Sequence, residues 1–561
     1  MSRGQGKNVT RLLAVTFVPL AFGCGKHLFN DDKPWRVPES DLRVIESTDL
    51  QDTAEIKSLP PDEAINQIMQ GAIEFPEYAE RVELTLAEVR ESALENNLEL
   101  AAAIIDPAIA EEGYLAEEAR FESTFTANVS QSSTSQQITN LDQSNDATTT
   151  AVDLGVNIPL QTGGTLAVST PFSNNTQDSV FSEFGAYWNT GIQFSISQPL
   201  LRNAGIRVNT APIRVAAYRS QIAQAQAKLA ATRILGNAEK AYWRLYAAWQ
   251  ELEVRRQQYD LAVEQLERAQ RLVNAGQAAE IEVIRAESGI GSSLESIIRA
   301  DAAIRRSQRE LKQIMNREDL PLDSTTAVET STQPSPIGLV IDGQSMARDA
   351  VDNRMEMLEL DLQLAIDSSD IEVARNATLP DVAIQYSYGI TSNQPGSFVD
   401  AYREALNFRY DSWSVGLAAS IPIGNEQAEA RLRQAILLRV QRLATRNQRE
   451  QAIRREVFDV IDSLDEAWQR ILAARLETVL AGRTYEAEKR QFELGLRTSN
   501  DVLDASARLA DARSREIAAI VEYQASLVDA AFVTGTIFGN GRIEWVDDDS
   551  FAGGRFENVG D

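Results

Sequence analysis

Cysteine and histidine are almost absent from this chain of 561 residues, which contains one of each. A disulfide therefore cannot form within the chain, and a zinc site built from clustered cysteines and histidines is excluded. A catalytic triad that needs a histidine from the second half is excluded too, because His27 lies near the N-terminus. The phosphate-binding loop, GxSxG and HExxH motifs are also missing. We therefore expect no enzyme, no bound metal and no cofactor.

Positive charge is also in short supply. The chain has 54 Lys and Arg against 82 Asp and Glu, which gives a formal net charge of −28. A nucleic-acid surface needs a basic face, so no nucleic-acid partner is expected. The excess of acid suits a solvated exterior or a water-filled lumen, although acidic proteins are common.

Long apolar runs are missing from the chain after residue 24. No segment there holds 18 uninterrupted apolar residues, so a helical membrane protein is not expected. Residues 1–24 have the pattern of a signal peptide: Lys7 and Arg11 come before or at the start of an apolar stretch that is too short to span a bilayer. Cys24 ends the run Ala-Phe-Gly-Cys, which resembles the lipobox of bacterial lipoproteins. We predict a lipoprotein signal peptide with lipidation at Cys24; the alternative is a plain secretory signal with an incidental thiol.

The chain after residue 80 divides into two halves that resemble each other. Ala275-Gly276 followed by Glu282 in the first half is echoed by Leu494-Gly495 followed by Asp501 in the second half. The predicted organisation, in chain order, is a linker at 25–80, a first repeat at 81–316 with strands at 119–199 and a tip near 276, a linker at 317–343, a second repeat at 344–538 with strands at 380–422 and a tip near 495, and an acidic tail at 539–561.

Apolar and polar residues alternate with period two in both predicted strand regions. Strands of this kind fit a transmembrane barrel with a wet lumen, and a two-sided soluble sheet is the alternative. The first half contains an additional hairpin at 151–170. This hairpin lengthens the strands, forms an external loop or adds strands, and the sequence leaves the choice open. The polar segments 130–150 and 391–408 are predicted to be external loops.

Two long helices are predicted, at 211–274 and 427–493, each roughly 100 Å long at ~1.5 Å per residue. The first contains a heptad seam and a second, alanine-rich apolar face, so it can pack on two neighbours. Helices at 280–316 and 345–374 are predicted to stack end to end as one returning arm.

The stretch from Glu493 to Leu509 is predicted to form the tip of a long helical hairpin. Gly495 suits a left-handed helix stop, and Ser499 or Asn500 suits the cap of the next helix. Asp501 and Asp504 are three residues apart and share one face of that helix's first turn, where acidic residues also favour the helix N-terminus.

This tip resembles the periplasmic tip of TolC-type outer-membrane efflux proteins. The residues that carry the resemblance are Gly495, Arg497, Thr498, Asp501, Val502, Leu503, Asp504 and Ala505. The resemblance implies a mixed α+β fold in which three protomers close a transmembrane β-barrel of twelve strands, continued by a long α-helical coiled-coil barrel, with two structural repeats per protomer. The linker 317–343 and the tail would form a belt around its middle.

The same resemblance implies roles for individual residues. Asp501 and Asp504 would form an acidic gate ring, Arg497 and Glu282 a gate latch, and Gly276, Gln277, Gly495 and Leu496 the tips that contact a periplasmic adaptor. The implied partners are two further copies, the adaptor, an inner-membrane transporter and outer-membrane lipid. The implied function is a passive, lipid-anchored duct of a tripartite efflux or type I secretion system. The alternative from another class is a secreted structural or adhesive coiled-coil scaffold with a β-rich head.

Overall fold

A computed structural model of the chain describes residues 80–135, 146–178, 186–395, 397–541, 543–546 and 555–558. These residues belong to one compact unit, Tyr78–Asp561. The predicted signal peptide with Cys24 lies outside the described residues, as does the predicted linker apart from Glu80, and the acidic tail is described only in part. Among the described helices, none is both long enough and apolar enough to cross a lipid bilayer.

Short helices open each half of the chain. The first half begins with α1 (Leu86–Asn96), α2 (Leu98–Ala103) and α3 (Ile105–Glu118), and the second half with α7 (Gly343–Asn353) and α8 (Met355–Ala377). The capping box predicted at Thr85 is confirmed, since the Thr85 hydroxyl accepts from the Glu88 amide and the Glu88 carboxylate accepts from the Thr85 amide.

A single extended residue breaks the helical path at the same point in both halves. Asn97 separates α1 from α2, and Arg354 separates α7 from α8, so the single helix predicted over 345–374 is two helices. Arg354 is buried and forms ion pairs with Glu356 and Glu456. Burial raises the pKa of Glu356, but the hydrogen bonds from Arg354 outweigh burial and the pKa falls to about 2.

Two long helices dominate the helical part: α5 (Ala211–Asn274), with 64 residues, and α10 (Glu426–Glu493), with 68 residues. The helix predicted at 211–274 is confirmed to the residue. Each long helix is followed by a helix of 35 residues, α6 (Ile281–Met315) after α5 and α11 (Ser499–Val533) after α10. The predicted seam of α5 is buried at Leu235, Ala238, Tyr242, Leu245 and Leu252, and its alanine-rich face is buried at Ala223, Ala225, Ala227 and Ala231.

The packing of α8 contradicts the predicted stacking of 345–374 on 280–316. Helix α8 packs between α5 and α10, where its Asp367 lies 2.6 Å from Arg442 of α10. Helix α11 packs between the same two long helices further along, where its Asp511 lies 3.0 Å from Arg255 of α5. Helix α6 instead packs on α5 and pairs Glu310 with Arg244. The stacked partner of α8 is therefore α11, because both fill the groove between the two long helices.

One antiparallel sheet of six strands lies at the ends of the long helices that are opposite the tips. Its strands are β2 (Thr124–Ser135), β3 (Asp146–Pro159), β4 (Thr165–Asp178), β5 (Ala186–Pro199), β7 (Asp381–Pro395) and β8 (Asp411–Ser420), and they follow one another in that order across the sheet. The additional hairpin is thus resolved: it adds the strands β3 and β4 between β2 and β5.

Two predicted external loops are partly strand and helix. Residues 130–135 and 146–150 continue β2 and β3, and residues 391–395 continue β7. A short helix, α9 (Phe398–Ala405), follows β7 and packs its Phe398 ring against Phe172 and Trp188 of the sheet. The loop predictions were too long because serine, threonine and asparagine also fill the polar face of a strand.

The six-stranded sheet has one apolar and one polar face. Cross-strand partners form an apolar row through all six strands: Phe125, Val156, Val168, Phe194, Tyr388 and Trp413. The neighbouring row on the other face is Thr124, Asn157, Ala167, Ser195, Ser387 and Ser414. Because successive side chains point to opposite faces, the register keeps these two rows on opposite faces through all six strands.

Several short strands and helices accompany these elements in the described residues. Strand β1 (Arg81–Leu84) pairs in parallel with β6 (Ala327–Thr330), and β9 (Ile543–Val546) pairs with β10 (Arg555–Asn558). Lys312 of α6 is buried and donates to Ser324 and to the Thr326 carbonyl, which fixes the segment that leads into β6. The remaining short helices are α4 (Ile206–Asn209) and α12 (Ile537–Asn540).

Candidate gate at the helical tips

Both long helices end in the same hydrogen-bonded turn. Gly276 has φ +70° and Gly495 has φ +73°. The Gln277 amide donates to the Leu272 carbonyl and the Leu496 amide donates to the Gln491 carbonyl, both at 2.9 Å, which is the bonding of a Schellman motif. A Cβ at either glycine would meet no atom within 4 Å, so glycine is required by the backbone angle and not by lack of space. The predicted left-handed stop is confirmed at Gly495.

The helix after the second tip is capped by Thr498, so the prediction of a cap at Ser499 or Asn500 is wrong. Asp501 is the third residue of α11, and its carboxylate accepts from the Thr498 amide at 2.9 Å and from the Thr498 hydroxyl at 2.8 Å. The Thr498 hydroxyl in turn caps the Asp501 amide. Thr498 is the cap because the residue three positions later, Asp501, is an acid whose carboxylate can accept from the Thr498 amide. The two residues thereby form a reciprocal pair of hydrogen bonds.

The two acids of the predicted gate ring lie on one turn but differ in their contacts. The hydrogen bonds from Thr498 lower the pKa of Asp501, so this carboxylate stays ionised in more acidic solution than an ordinary aspartate. Asp504 is exposed and accepts a hydrogen bond of 3.3 Å from the Asn500 side chain. Asp511, two turns further along, forms an ion pair with Arg255 of the same chain.

The two residues of the predicted latch have separate partners within one chain. The Glu282 carboxylate accepts from the Ser499 amide at 2.9 Å and from Arg285 at 2.7 Å, which ties the first tip to the start of α11. The Arg497 Nε atom lies 3.1 Å from the Glu488 carboxylate and donates to the Gln491 side chain. A latch between Arg497 and Glu282 of a neighbouring copy stays a prediction.

Gln265 was not among the predicted site residues. Its side chain donates to the Ser499 hydroxyl at 3.0 Å, and both residues are buried, with exposures of 4% and 0%. This bond joins α5 to the first residue of α11 just above the tips. The available signal was spacing, because Gln265 lies between the buried Ala262 and Ala269 on the inner stripe of α5. Glu488, the ion-pair partner of Arg497, was missed as well.

The remaining tip residues are accessible. Gly276, Gln277, Gly495 and Leu496 are all exposed, and Leu496 is an apolar side chain exposed to 71%. The tips therefore present two matched exposed turns, one acidic helix start and an exposed leucine, and the bonds of Glu282 and Gln265 to Ser499 join the two hairpins.

The family model for outer membrane efflux proteins matches residues 346–536, which run from α7 through β7, β8 and α10 to the end of α11. The outer membrane protein TolC of Vibrio cholerae is 24% identical over 355 residues, which cover 62% of this chain and 76% of TolC.

Solved structures of outer-membrane channels share the fold. CmeC of Campylobacter jejuni matches with a TM-score of 0.60 at 15% identity, over 89% of this chain and 94% of CmeC. VceC of Vibrio cholerae matches with a TM-score of 0.59 at 15% identity, over 80% of this chain and 96% of VceC. At these identities the likeness concerns the fold of nearly the whole length of each channel protein.

Proposed function

Since the chain is a TolC-type outer membrane efflux protein, a family of passive channels and not of enzymes, we propose that three copies form a duct across the bacterial outer membrane and the periplasm. The duct serves a tripartite efflux or type I secretion system, with a periplasmic adaptor and an inner-membrane transporter as partners. One observation carries the proposal: matched glycine turns end both helices of roughly 100 Å. The second turn leads directly into α11, whose first turn is acidic and is capped by Thr498.

Unpartnered apolar side chains on α10 support association with further copies. Leu437, Val440, Leu476 and Leu480 are each at least half exposed along this helix. Burying a leucine from water contributes about 1.5–3 kcal/mol, so a stripe of such residues favours a helix from another copy. In the proposed trimer the helices of the three copies form the α-helical coiled-coil barrel, and each copy contributes two structural repeats.

The sheet and the N-terminus supply the proposed membrane attachment. The apolar face of the sheet suits lipid and its polar face suits a water-filled lumen, as in a transmembrane β-barrel. Lipidation of Cys24 would add a second anchor in the same membrane. The linker 317–343, part of which forms β6 beside β1, would belong to the belt around the helices.

The tips form the proposed gate. Three copies would place six carboxylates, from Asp501 and Asp504, in one ring at the periplasmic constriction. Clustered carboxylates in a narrow throat concentrate cations. Arg497 and Glu282 of neighbouring copies would hold the ring closed, and the exposed turns at Gly276, Gln277, Gly495 and Leu496 would receive the adaptor.

The test is single-channel current from the purified protein in a planar bilayer under a salt gradient. We expect discrete, cation-selective openings, and the double variant Asp501→Asn with Asp504→Asn is expected to move the reversal potential towards zero. Asparagine is chosen because its side-chain oxygen can still accept from Thr498. Because the pKa of Asp501 is lowered, its charge is lost at a lower pH than that of an ordinary aspartate, so part of the selectivity is expected to persist where ordinary aspartates are protonated.

Asp511→Asn is the matched control, since Asp511 already pairs with Arg255 and its loss should leave the reversal potential unchanged. An unchanged reversal potential in the double variant would reject the gate ring while leaving the duct intact. A protein that conducts no current under any condition would reject the duct and favour the structural scaffold.

A further inference from the structure

The sheet ends in two long edges, β2 and β8, whose residues are exposed throughout. Natural proteins usually block such edges with lysine, proline, charge or a bulge. Strand β2 contains no charged residue and no proline, and strand β8 contains a single charge, Asp411, at its first residue. The aromatic residues at the ends of the apolar row, Phe125 and Trp413, are exposed to 66% and 68%. Both edges are therefore left open for pairing.

We propose that β2 of each copy pairs with β8 of the next, so that three copies of six strands close a ring of eighteen strands instead of the twelve that the family resemblance implied. The proposal rests on the proposed trimer. Because the six strands alternate in direction, β8 runs opposite to β2, and the new pair is antiparallel like every other pair in the sheet. The apolar and polar rows then continue from copy to copy on the same faces.

The stagger of the strands already has the value that a closed barrel requires. Thr124 is the first residue of β2, whereas its row partner Ser414 lies six residues before the end of β8 at Ser420 (420 − 414 = 6). Six residues over five strand pairs is about 1.2 residues per pair. With ~3.3 Å per residue and ~4.8 Å between strands, this stagger corresponds to a tilt of roughly 40°, inside the range of closed barrels.

The same stagger fixes the register across the interface. If the helix-side ends of β2 and β8 are level, Thr124 lies opposite Ser420 of the next copy, and Ser130 lies opposite Ser414. A further shift by two residues, the smallest that keeps every side chain on its face, places Ser132 opposite Ser414. These two registers give shears of 18 and 24 for the ring, and both correspond to tilts of roughly 35–43°.

An eighteen-strand ring changes the width of the duct. Barrel diameter grows about linearly with strand number, so the ring would be roughly 1.5 times as wide as twelve strands at the same tilt, or about 36 Å against about 24 Å between backbones. The membrane section would then be a wide outlet, and the narrowest point of the duct would lie at the tips.

The test combines imaging and cross-linking of the full-length protein. Electron cryomicroscopy of the detergent-purified wild type counts copies and strands directly. In parallel, Ser414→Cys is combined with Ser130→Cys or with Ser132→Cys, and oxidised samples are run without reductant. We expect one of the two combinations to give dimers and trimers, because directly opposed Cβ atoms lie ~4.5–5.5 Å apart.

Controls use contacts within one chain. Ser387→Cys with Ser414→Cys is the positive control, since these hydroxyls lie 2.8 Å apart in one chain and should cross-link without a change in copy number. Each single-cysteine variant measures the background, including any contribution of Cys24. A trimer with eighteen strands and the cross-linked ladder supports the proposal. A trimer with twelve strands, or without either cross-link, overturns it and leaves the proposed function standing, whereas a protein that forms no oligomer and no channel overturns both.

Discussion

At the scale of the residue, two neighbouring carboxylates at the tips have different roles: one caps a helix, and the other is exposed to solvent. Asp501 completes the cap of α11 through Thr498, whereas Asp504 faces solvent beside Asn500. Glu282 is likewise committed, because it accepts from the backbone amide that begins α11. A charge that closes a gate between copies must therefore act in addition to these bonds within the chain.

Arg497→Ala is expected to raise the open probability of the channel while leaving the trimer intact. Each exposed ion pair contributes about 0.2–1 kcal/mol, so three pairs contribute roughly 1–3 kcal/mol, enough to bias a two-state gate. Glu282→Gln should have the same effect, because glutamine removes the charge and keeps an acceptor for the Ser499 amide. Open probability in planar bilayers is the measurement.

The charge swap, Arg497→Glu with Glu282→Arg, is expected to restore part of the closed state. Glu488→Ala is the matched control, since Glu488 is the partner of Arg497 within one chain. If Glu488→Ala opens the channel as much as Arg497→Ala and the swap restores nothing, the pair within the chain holds the gate and the proposed latch is rejected.

At the scale of the element, the two hairpin turns depend on a backbone angle. The left-handed glycines at 276 and 495 allow the chain to reverse and satisfy the last carbonyls of α5 and α10. Elsewhere a glycine has no such need: Gly291 lies inside α6 in an ordinary helical conformation with open space around its Cβ position. The chain therefore contains its own matched control.

Gly495→Ala is expected to destabilise the second tip by about 1–2 kcal/mol, because an L-residue is strained at this angle. Gly291→Ala should be neutral or stabilising by up to ~1 kcal/mol, because alanine favours a helix interior. Hydrogen exchange of the Leu496 amide, which donates to the Gln491 carbonyl, measures the local effect. Equal exchange in wild type and Gly495→Ala would contradict the requirement for glycine.

At the scale of the whole molecule, two independent attachments to the membrane are proposed, the sheet and the lipid at Cys24. Their contributions differ, since the sheet offers an apolar row that continues across all six strands and would supply the main driving force for insertion. Loss of the lipid should therefore leave the channel in the outer membrane.

Cys24→Ser is expected to abolish the incorporation of radiolabelled palmitate without removing the protein from the outer-membrane fraction. Labelling of cells that express wild type or variant, followed by separation of the two membranes, measures both quantities. Palmitate that persists in the variant would refute the lipidation of Cys24. A variant found only in the soluble fraction would show that the lipid, and not the sheet, holds the protein.

The sequence by itself determined the elements whose signals are local. The helical spacing of apolar residues and the length of the segment predicted α5 to the residue. Glycine indicated both turns, and the pair Thr85 and Glu88 predicted the first capping box. Local backbone geometry and side-chain spacing determine these features, so a short window of sequence contains them. The acidic turn at Asp501 and Asp504, on which the family resemblance partly rests, is likewise visible in a short window of sequence.

Only the tertiary structure decided which elements lie together. Helix α8 lies in the groove between α5 and α10 that α11 fills further along, instead of stacking on α6, and the hairpin of β3 and β4 enters the sheet rather than extending a loop. The alternation of apolar and polar residues in β3 and β4 is the same whether the hairpin joins the sheet or extends a loop, because a strand shows period two wherever its neighbours come from. The choice depends on contacts between residues far apart in the chain, such as Asp367 with Arg442 and Gln265 with Ser499, which no local pattern encodes.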